Sequence, residues 1–260
     1  MLIRTLLFGL LSLASAPVGA IVNIESLRME PSAPVQAEAL VSIDGKVGNS
    51  QKNAYSFSGQ VRTDSGPFQN LGLIKFKYET SQTIKTADQL LAHYRWNYNI
   101  WPNSSIESYV QWERDVFKRL ASRSLAGAGL RTALSESESF RLYLGAGAFY
   151  YEERYEVDSQ NQIAEIEQRL RGNFYLSSKI DVAESVDFKT TLYYQPLFES
   201  LTNSKNPQDF RLLWQNYMEF LVNSHLSWVI SYQLFHDSQP PAGVKTTDQE
   251  YGTSLKLSFR

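Results

Sequence analysis

Leu90-Leu91-Ala92-His93-Tyr94-Arg95-Trp96-Asn97-Tyr98-Asn99-Ile100 decides the fold. One parity of this run reads Leu90, Ala92, Tyr94, Trp96, Tyr98 and Ile100; the other reads Leu91, His93, Arg95, Asn97 and Asn99. Strict alternation means a β-strand with one apolar and one polar face. The same pattern recurs twelve times, from Val35-x-Ala37-x-Ala39-x-Val41-x-Ile43 to Tyr251-x-Thr253-x-Leu255-x-Leu257-x-Phe259. The runs are about 10–15 residues long, against a usual strand of about 5–6. Long alternating strands whose apolar face is rich in aromatics predict a transmembrane barrel with a lipid-facing outside.

The apolar parity of these runs holds no Asp, Glu, Lys or Arg. That exclusion is physical: a basic residue at the bilayer midplane costs about 2–4 kcal/mol. Asn216, between Trp214 and Met218, is the polar exception, pointing to a local bulge or a contact with another protein. Connection lengths also alternate. Short links are expected at 64–67, 101–104, 135–139, 179–184 and 223–224, and long ones at 45–52, 80–87, 116–122, 152–163, 199–207 and 237–247. Short periplasmic turns and longer external loops place both termini in the periplasm of a bacterial outer membrane.

The first 20 residues fit such an address. Residues 1–4 form a short positive region, residues 5–16 an apolar one, and Val18-Gly19-Ala20 offers small residues for cleavage before Ile21. The expected organisation is a cleaved signal (1–20), a periplasmic leader (21–34) set off by Pro31 and Pro34, and one barrel domain (35–260). Removing the signal takes away Arg4, leaving 24 basic and 27 acidic residues, which gives no basic excess for nucleic acid. The absence of Cys excludes disulfides, thiolate metal sites and a lipidated N-terminal Cys. No metal-binding spacing and no cofactor motif is present; Gly127-Ala128-Gly129 lacks the third glycine and the following helix of a dinucleotide loop.

The polar parity is charge-rich. The expected lumen-lining charges are Arg62, Lys75, Lys77, Arg95, Glu107, Glu113, Arg131, Arg141, Glu165, Glu167, Arg169, Arg171, Asp187, Lys189, Asp209, Arg211, Glu219, Glu250 and Lys256, with Glu38 and Glu79 beside them. Near balance of sign favours charges that pair across strands over a strongly selective pore. Asp187 and Asp209 each precede a base by two residues, Lys189 and Arg211, and are expected to pair with them. Gly127, Gly129, Gly145 and Gly147 fall on the same inward parity and invite covering aromatics, with Tyr109, Tyr143 and Phe149 as candidates.

Three stretches carry a resemblance: Ile21-Val22-Asn23-Ile24-Glu25-Ser26-Leu27-Arg28, Gly45-Lys46-Val47-Gly48-Asn49, and Leu125-Ala126-Gly127-Ala128-Gly129-Leu130-Arg131. In this order they resemble domain-of-unknown-function family 481, whose members carry the label salt-induced outer-membrane protein. The resemblance implies an outer-membrane β-barrel of uncharacterised activity and brings no catalytic residues. The end of the chain resembles the assembly signal of such barrels, with Tyr251, Leu255, Leu257 and Phe259 on one parity, although Arg260 follows the aromatic. The partners expected are outer-membrane lipid, lipopolysaccharide, the barrel-assembly machinery and an unidentified small solute. The function expected is non-enzymatic, a narrow channel or an envelope-stress structural barrel. The alternative is a lipid-modifying hydrolase at the external rim, for which His236-Asp237-Ser238 is the candidate; His93 has Arg95 beside it, and His225 borders a turn.

Overall fold

The computed structural model describes residues 34–46, 51–156, 163–198, 209–240 and 244–259; the side chains at 46, 156 and 163–165 also fall outside this set. The expected signal, the leader as far as residue 33, and the side chain of Glu165 therefore lie outside the described residues. Twelve antiparallel strands follow one another: β1 (Val35–Lys46), β2 (Lys52–Ser65), β3 (Phe68–Ser81), β4 (Ile84–Trp101), β5 (Ser104–Asp115), β6 (Leu120–Glu136), β7 (Phe140–Glu156), β8 (Ile163–Ala183), β9 (Val186–Pro196), β10 (Phe210–Leu221), β11 (Leu226–Asp237) and β12 (Thr247–Phe259). Each pairs with its sequence neighbours, and β1 closes on β12 from Ala37↔Phe259 to Val41↔Leu255. Closure leaves no strand edge unpaired, which is what a bilayer without water requires of a sheet.

The alternation is obeyed. Outward Ile74, Tyr94, Val110, Leu144, Leu170, Leu192, Trp228 and Leu255 are exposed, while inward Leu73, Arg95, Tyr109, Tyr151, Leu213 and Lys256 are buried. Outward aromatics gather at the strand ends. Phe68 packs on Trp96 and Tyr98 with centroids 5.8 and 5.1 Å apart, and Phe220 on Trp228 at 5.2 Å, at the end that carries the termini. Tyr194 and Phe210, 5.9 Å apart, mark the opposite end. Amphipathic rings at both rims are the usual anchors of a barrel at the two lipid–water interfaces.

Three local expectations change, the first being that the link at 179–184 is strand as far as Ala183, with Glu184 and Ser185 as its turn. The link at 80–87 is not a long loop: β3 and β4 pair as far as Ser81↔Ile84, with a bulge between Glu79 and Thr80. Only Gln82 and Thr83 remain in the turn, both left-handed at φ 50° and 68°. A two-residue hairpin needs that hand at both positions, and the sequence hides it because neither residue is Gly or Asn. Asn216 also sits on an unbroken ladder, without a bulge. Thr190 Oγ1 donates to its Oδ1 at 2.8 Å, and Trp214 Nε1 donates to Thr190 at 3.1 Å, so the outward amide oxygen is satisfied within the sheet.

Candidate functional site

Twelve strands enclose an interior that inward side chains can span, so residues on opposite walls meet. The interior divides into three tiers. At the end away from the termini, Glu153 (fully buried) lies between two guanidiniums. Arg123 Nε donates to its Oε1 at 2.5 Å, and Arg211 Nη1 and Nη2 donate to Oε1 and Oε2 at 2.7 and 3.2 Å. Arg123 also engages Glu113, Tyr155 donates to Glu153, and Arg211 Nε reaches Asp237 at 2.8 Å. Arg171 binds Asp209 at 2.8 Å, and the guanidiniums of Arg171 and Arg211 lie 5.5 and 5.4 Å from the Tyr151 ring centroid. Buried charges survive here because each has several partners.

The connection between β5 and β6 folds into this tier. A 3-10 turn (Val116–Lys118) is capped by Asp115, and Arg119 closes it in the left-handed conformation. Lys118 then crosses the lumen to β11 and β12, 4.9 Å from the Phe235 ring centroid and 4.0 Å from Asp248. Burial pulls its ammonium down to about 8, against the opposing fields of Asp115 and Asp248.

The middle tier is aromatic. Tyr175 and Tyr193 pack with tilted rings, centroids 5.2 Å apart, beside Leu213 and Phe235, and Tyr109, Phe149 and Tyr151 form a second cluster. Polar groups thread it: Arg95 and the Tyr175 hydroxyl both donate to Glu107 Oε2, at 2.9 and 2.7 Å, and Asn173 donates to Tyr109 at 3.1 Å. A Cβ on Gly127 would stand 2.5 Å from the Tyr109 ring, and one on Gly145 would stand 2.0 Å from the Tyr175 ring. Two of the four inward glycines thus make room for rings, as expected, although Tyr175 takes the place proposed for Tyr143. Gly129 and Gly147 instead face one another across β6 and β7, backbone to backbone.

Near the termini, Lys256 contacts Glu38 at 3.3 Å and also Glu219, which Lys189 engages at 3.1 Å. Gln60 donates to Glu38 at 2.6 Å, and Arg62 meets Asp64 at 3.1 Å. The expected i, i+2 pairs are replaced by cross-strand ones: Asp187 with Lys179 at 3.1 Å, and Asp209 with Arg171. The expected bases are drawn to other acids, Lys189 to Glu219 and Arg211 to Glu153 and Asp237, while Lys179 reaches Asp187 diagonally across the ladder. Of the remaining predicted charges, Arg131 stacks over Tyr143 at 3.5 Å, Glu167 accepts from Tyr151 at 2.8 Å with Arg169 at 3.6 Å, and Arg141 is half-buried opposite Lys179. The sequence reading omitted Arg123, Glu153 and Lys118, and it set Asp237 in the rim trio instead of the lumen. The signal for Glu153 was the continued parity of Phe149, Tyr151 and Tyr155, obscured by Glu152 and Arg154 on the outer face.

A cavity of about 240 Å³ occupies the other side of the lumen, between β1–β5 and β10–β12. Its walls carry Ser56, Ser58, Ser231, Ser254, Gln89, Gln215 and Gln233, together with Tyr217, Lys75, Glu113, Asp115 and the Lys77–Glu250 pair.

The rim trio does not converge. His236 Nδ1 lies 2.8 Å from Thr247 Oγ1 on the outer face, Asp237 turns inward to Arg211, and Ser238 Oγ accepts from the Phe210 amide at 2.9 Å. His93 is buried, its Nδ1 3.1 Å from Gln111 Oε1. His236 and His225 each meet a hydroxyl outside the expected trio, that of Thr247 and that of Ser224, the latter also at 2.8 Å.

Solved barrels share the fold at low sequence identity. The translocator domain of autotransporter NalP from Neisseria meningitidis superposes with a TM-score of 0.50 and 9% identity, covering 88% of this chain and 89% of its own. The COG4313 outer membrane channel from Pseudomonas putida F1 gives 0.48 and 9%, with coverage of 89% and 99%; the NanC porin gives 0.45 and 8%, with coverage of 86% and 97%. No curated protein sequence matches the chain. The family described as "Protein of unknown function, DUF481" matches residues 39–259, the greater part of this twelve-stranded outer-membrane barrel, and the chain belongs to that family.

Proposed function

We propose that the chain is a non-enzymatic outer-membrane barrel working as a narrow, off-axis channel for small polar solutes. Its termini and short turns lie in the periplasm, and its longer connections face outside. The observation that supports this reading is the lopsided lumen: one side is filled by tyrosines and ion pairs, and the other holds a serine- and glutamine-walled cavity. A barrel meant only to be closed has no need of a polar void, because inward Leu or Phe would fill it at native packing density. The outward row Tyr251, Leu255, Leu257 and Phe259 is read by the assembly machinery, and the outer aromatics meet lipid and lipopolysaccharide.

Single-channel recording of the refolded, heat-modifiable protein in a planar bilayer tests the reading. Small, reproducible current steps are expected. Silence at all voltages overturns the channel and leaves a structural barrel closed by its ion pairs.

A further inference from the structure

Lys75 is the anomaly of the interior. Lys77, Arg95, Arg123, Lys189, Arg211 and Lys256 each have a carboxylate partner. Lys75 has no hydrogen bond and no ion pair among the described residues. Its register neighbours are Ser58 and Leu91, and the inward position before it is Leu73. Leu71, Leu73 and Leu91 form an apolar cluster beside it, and the other acids that line the cavity are engaged elsewhere, Glu113 by Arg123 and Asp115 by Gln89. The acid across the lumen, Glu250, is taken by Lys77.

The ammonium instead lines the cavity of about 240 Å³. Gln215, on the facing wall, donates to Gln233 and keeps its own Oε1 without a donor. A half-buried cation with no carboxylate bonded to it is costly, and an anion that enters the cavity recovers the charge-assisted hydrogen bond. Hydroxyl and amide walls suit a ligand with hydroxyls of its own. The volume holds roughly eight waters at about 30 Å³ each, or one small polyol.

We infer that Lys75 and the surrounding cavity form a binding site for a small hydroxylated organic anion, its carboxylate on Lys75 and its hydroxyls on the serine and glutamine wall. The inference rests on the channel reading for its physiological purpose, but binding itself requires no conduction.

The test is calorimetric titration of the full refolded barrel in detergent with sodium gluconate, sorbitol and inorganic phosphate, alongside bilayer recordings in potassium chloride with added gluconate. Gluconate is expected to bind and sorbitol, the same polyol without the carboxylate, to give no heat. Lys75→Gln is expected to weaken gluconate by about tenfold or more, the usual worth of a hydrogen bond to a charged group, and Lys75→Arg to restore it. Ser254→Phe, which fills the cavity without altering a charge, is expected to abolish binding as well. The inference is overturned if gluconate does not bind, if phosphate binds in its place, or if Lys75→Gln binds as well as wild type. Lys75-dependent gluconate binding by a barrel silent in bilayers leaves the site standing and removes the channel. A conducting barrel that gives no gluconate heat does the reverse.

Discussion

The wall from β5 to β10 and the wall from β11 through β12 to β3 belong to one sheet and obey one alternation, yet their inward faces differ in kind. The first carries Tyr109, Phe149, Tyr151, Tyr175 and Tyr193, all buried. The second carries Ser56, Ser58, Ser231 and Ser254 around an open cavity. Strand pairing is the same in both, so side-chain volume alone decides where the lumen is filled. Glycines reinforce the difference, because Gly127 and Gly145 lower the wall where the tyrosine rings lie flat. Filled and open space therefore fall on opposite sides of one barrel.

Changes on the filled side are expected to be the most damaging. Glu153→Ala leaves Arg123 and Arg211 short of their shared acid and is predicted to cost about 3–5 kcal/mol, as breaking a buried charge cluster does. A thermal scan of the heat-modifiable band measures it, and an unchanged midpoint would show that Glu113 and Asp237 suffice. Tyr175→Ala tests whether volume is what shuts that side. It should cost about 3–5 kcal/mol by analogy with other aromatic truncations and raise single-channel conductance several-fold. If conductance stays the same, the filled side is closed by something other than the rings.

Gly145→Ala places a Cβ against the Tyr175 ring and should cost about 1–3 kcal/mol through overpacking. The same scan reads it, and Gly145→Ala combined with Tyr175→Ala should recover most of the loss. The open side should respond differently: Ser254→Phe has space to enter, so its stability should change by less than about 1 kcal/mol while current falls.

A pH-dependent effect concerns the strap across the mouth. Lys118 titrates near 8 when folded and near 10.5 when unfolded, so between these values the unfolded chain holds more protons. Stability should therefore rise with pH across that window, and Lys118→Met should flatten the rise. Unfolding midpoints at pH 7.5, 9 and 10.5 would show it; parallel slopes in the two proteins would dismiss the strap.

Much of the fold was legible along the chain. Parity at Leu90–Ile100 and its repeats gave the strands and their inward faces, because a pleated backbone sends alternate side chains to opposite sides whatever the tertiary context. The hairpin at Gln82-Thr83 was not legible, since its left-handed turn uses residues that rarely adopt that conformation. The ion pairs were legible as a class but not as partners. Asp187 looked paired with Lys189 along the strand and is paired with Lys179 across it. Glu153 and Arg211 were invisible as a pair because 58 residues separate them.

The sequence by itself determined a twelve-stranded barrel, its lipid-facing surface and the charge of its interior. These follow from the two-residue period and from the cost of a charge in lipid. Only the tertiary structure decided which charges meet, which tyrosines fill the lumen and why Lys75 faces a cavity instead of an acid. Those outcomes depend on distances across the barrel, between strands such as β7 and β10 that are never neighbours in the sheet. Closure fixes those distances, and alternation along any one strand carries no information about them.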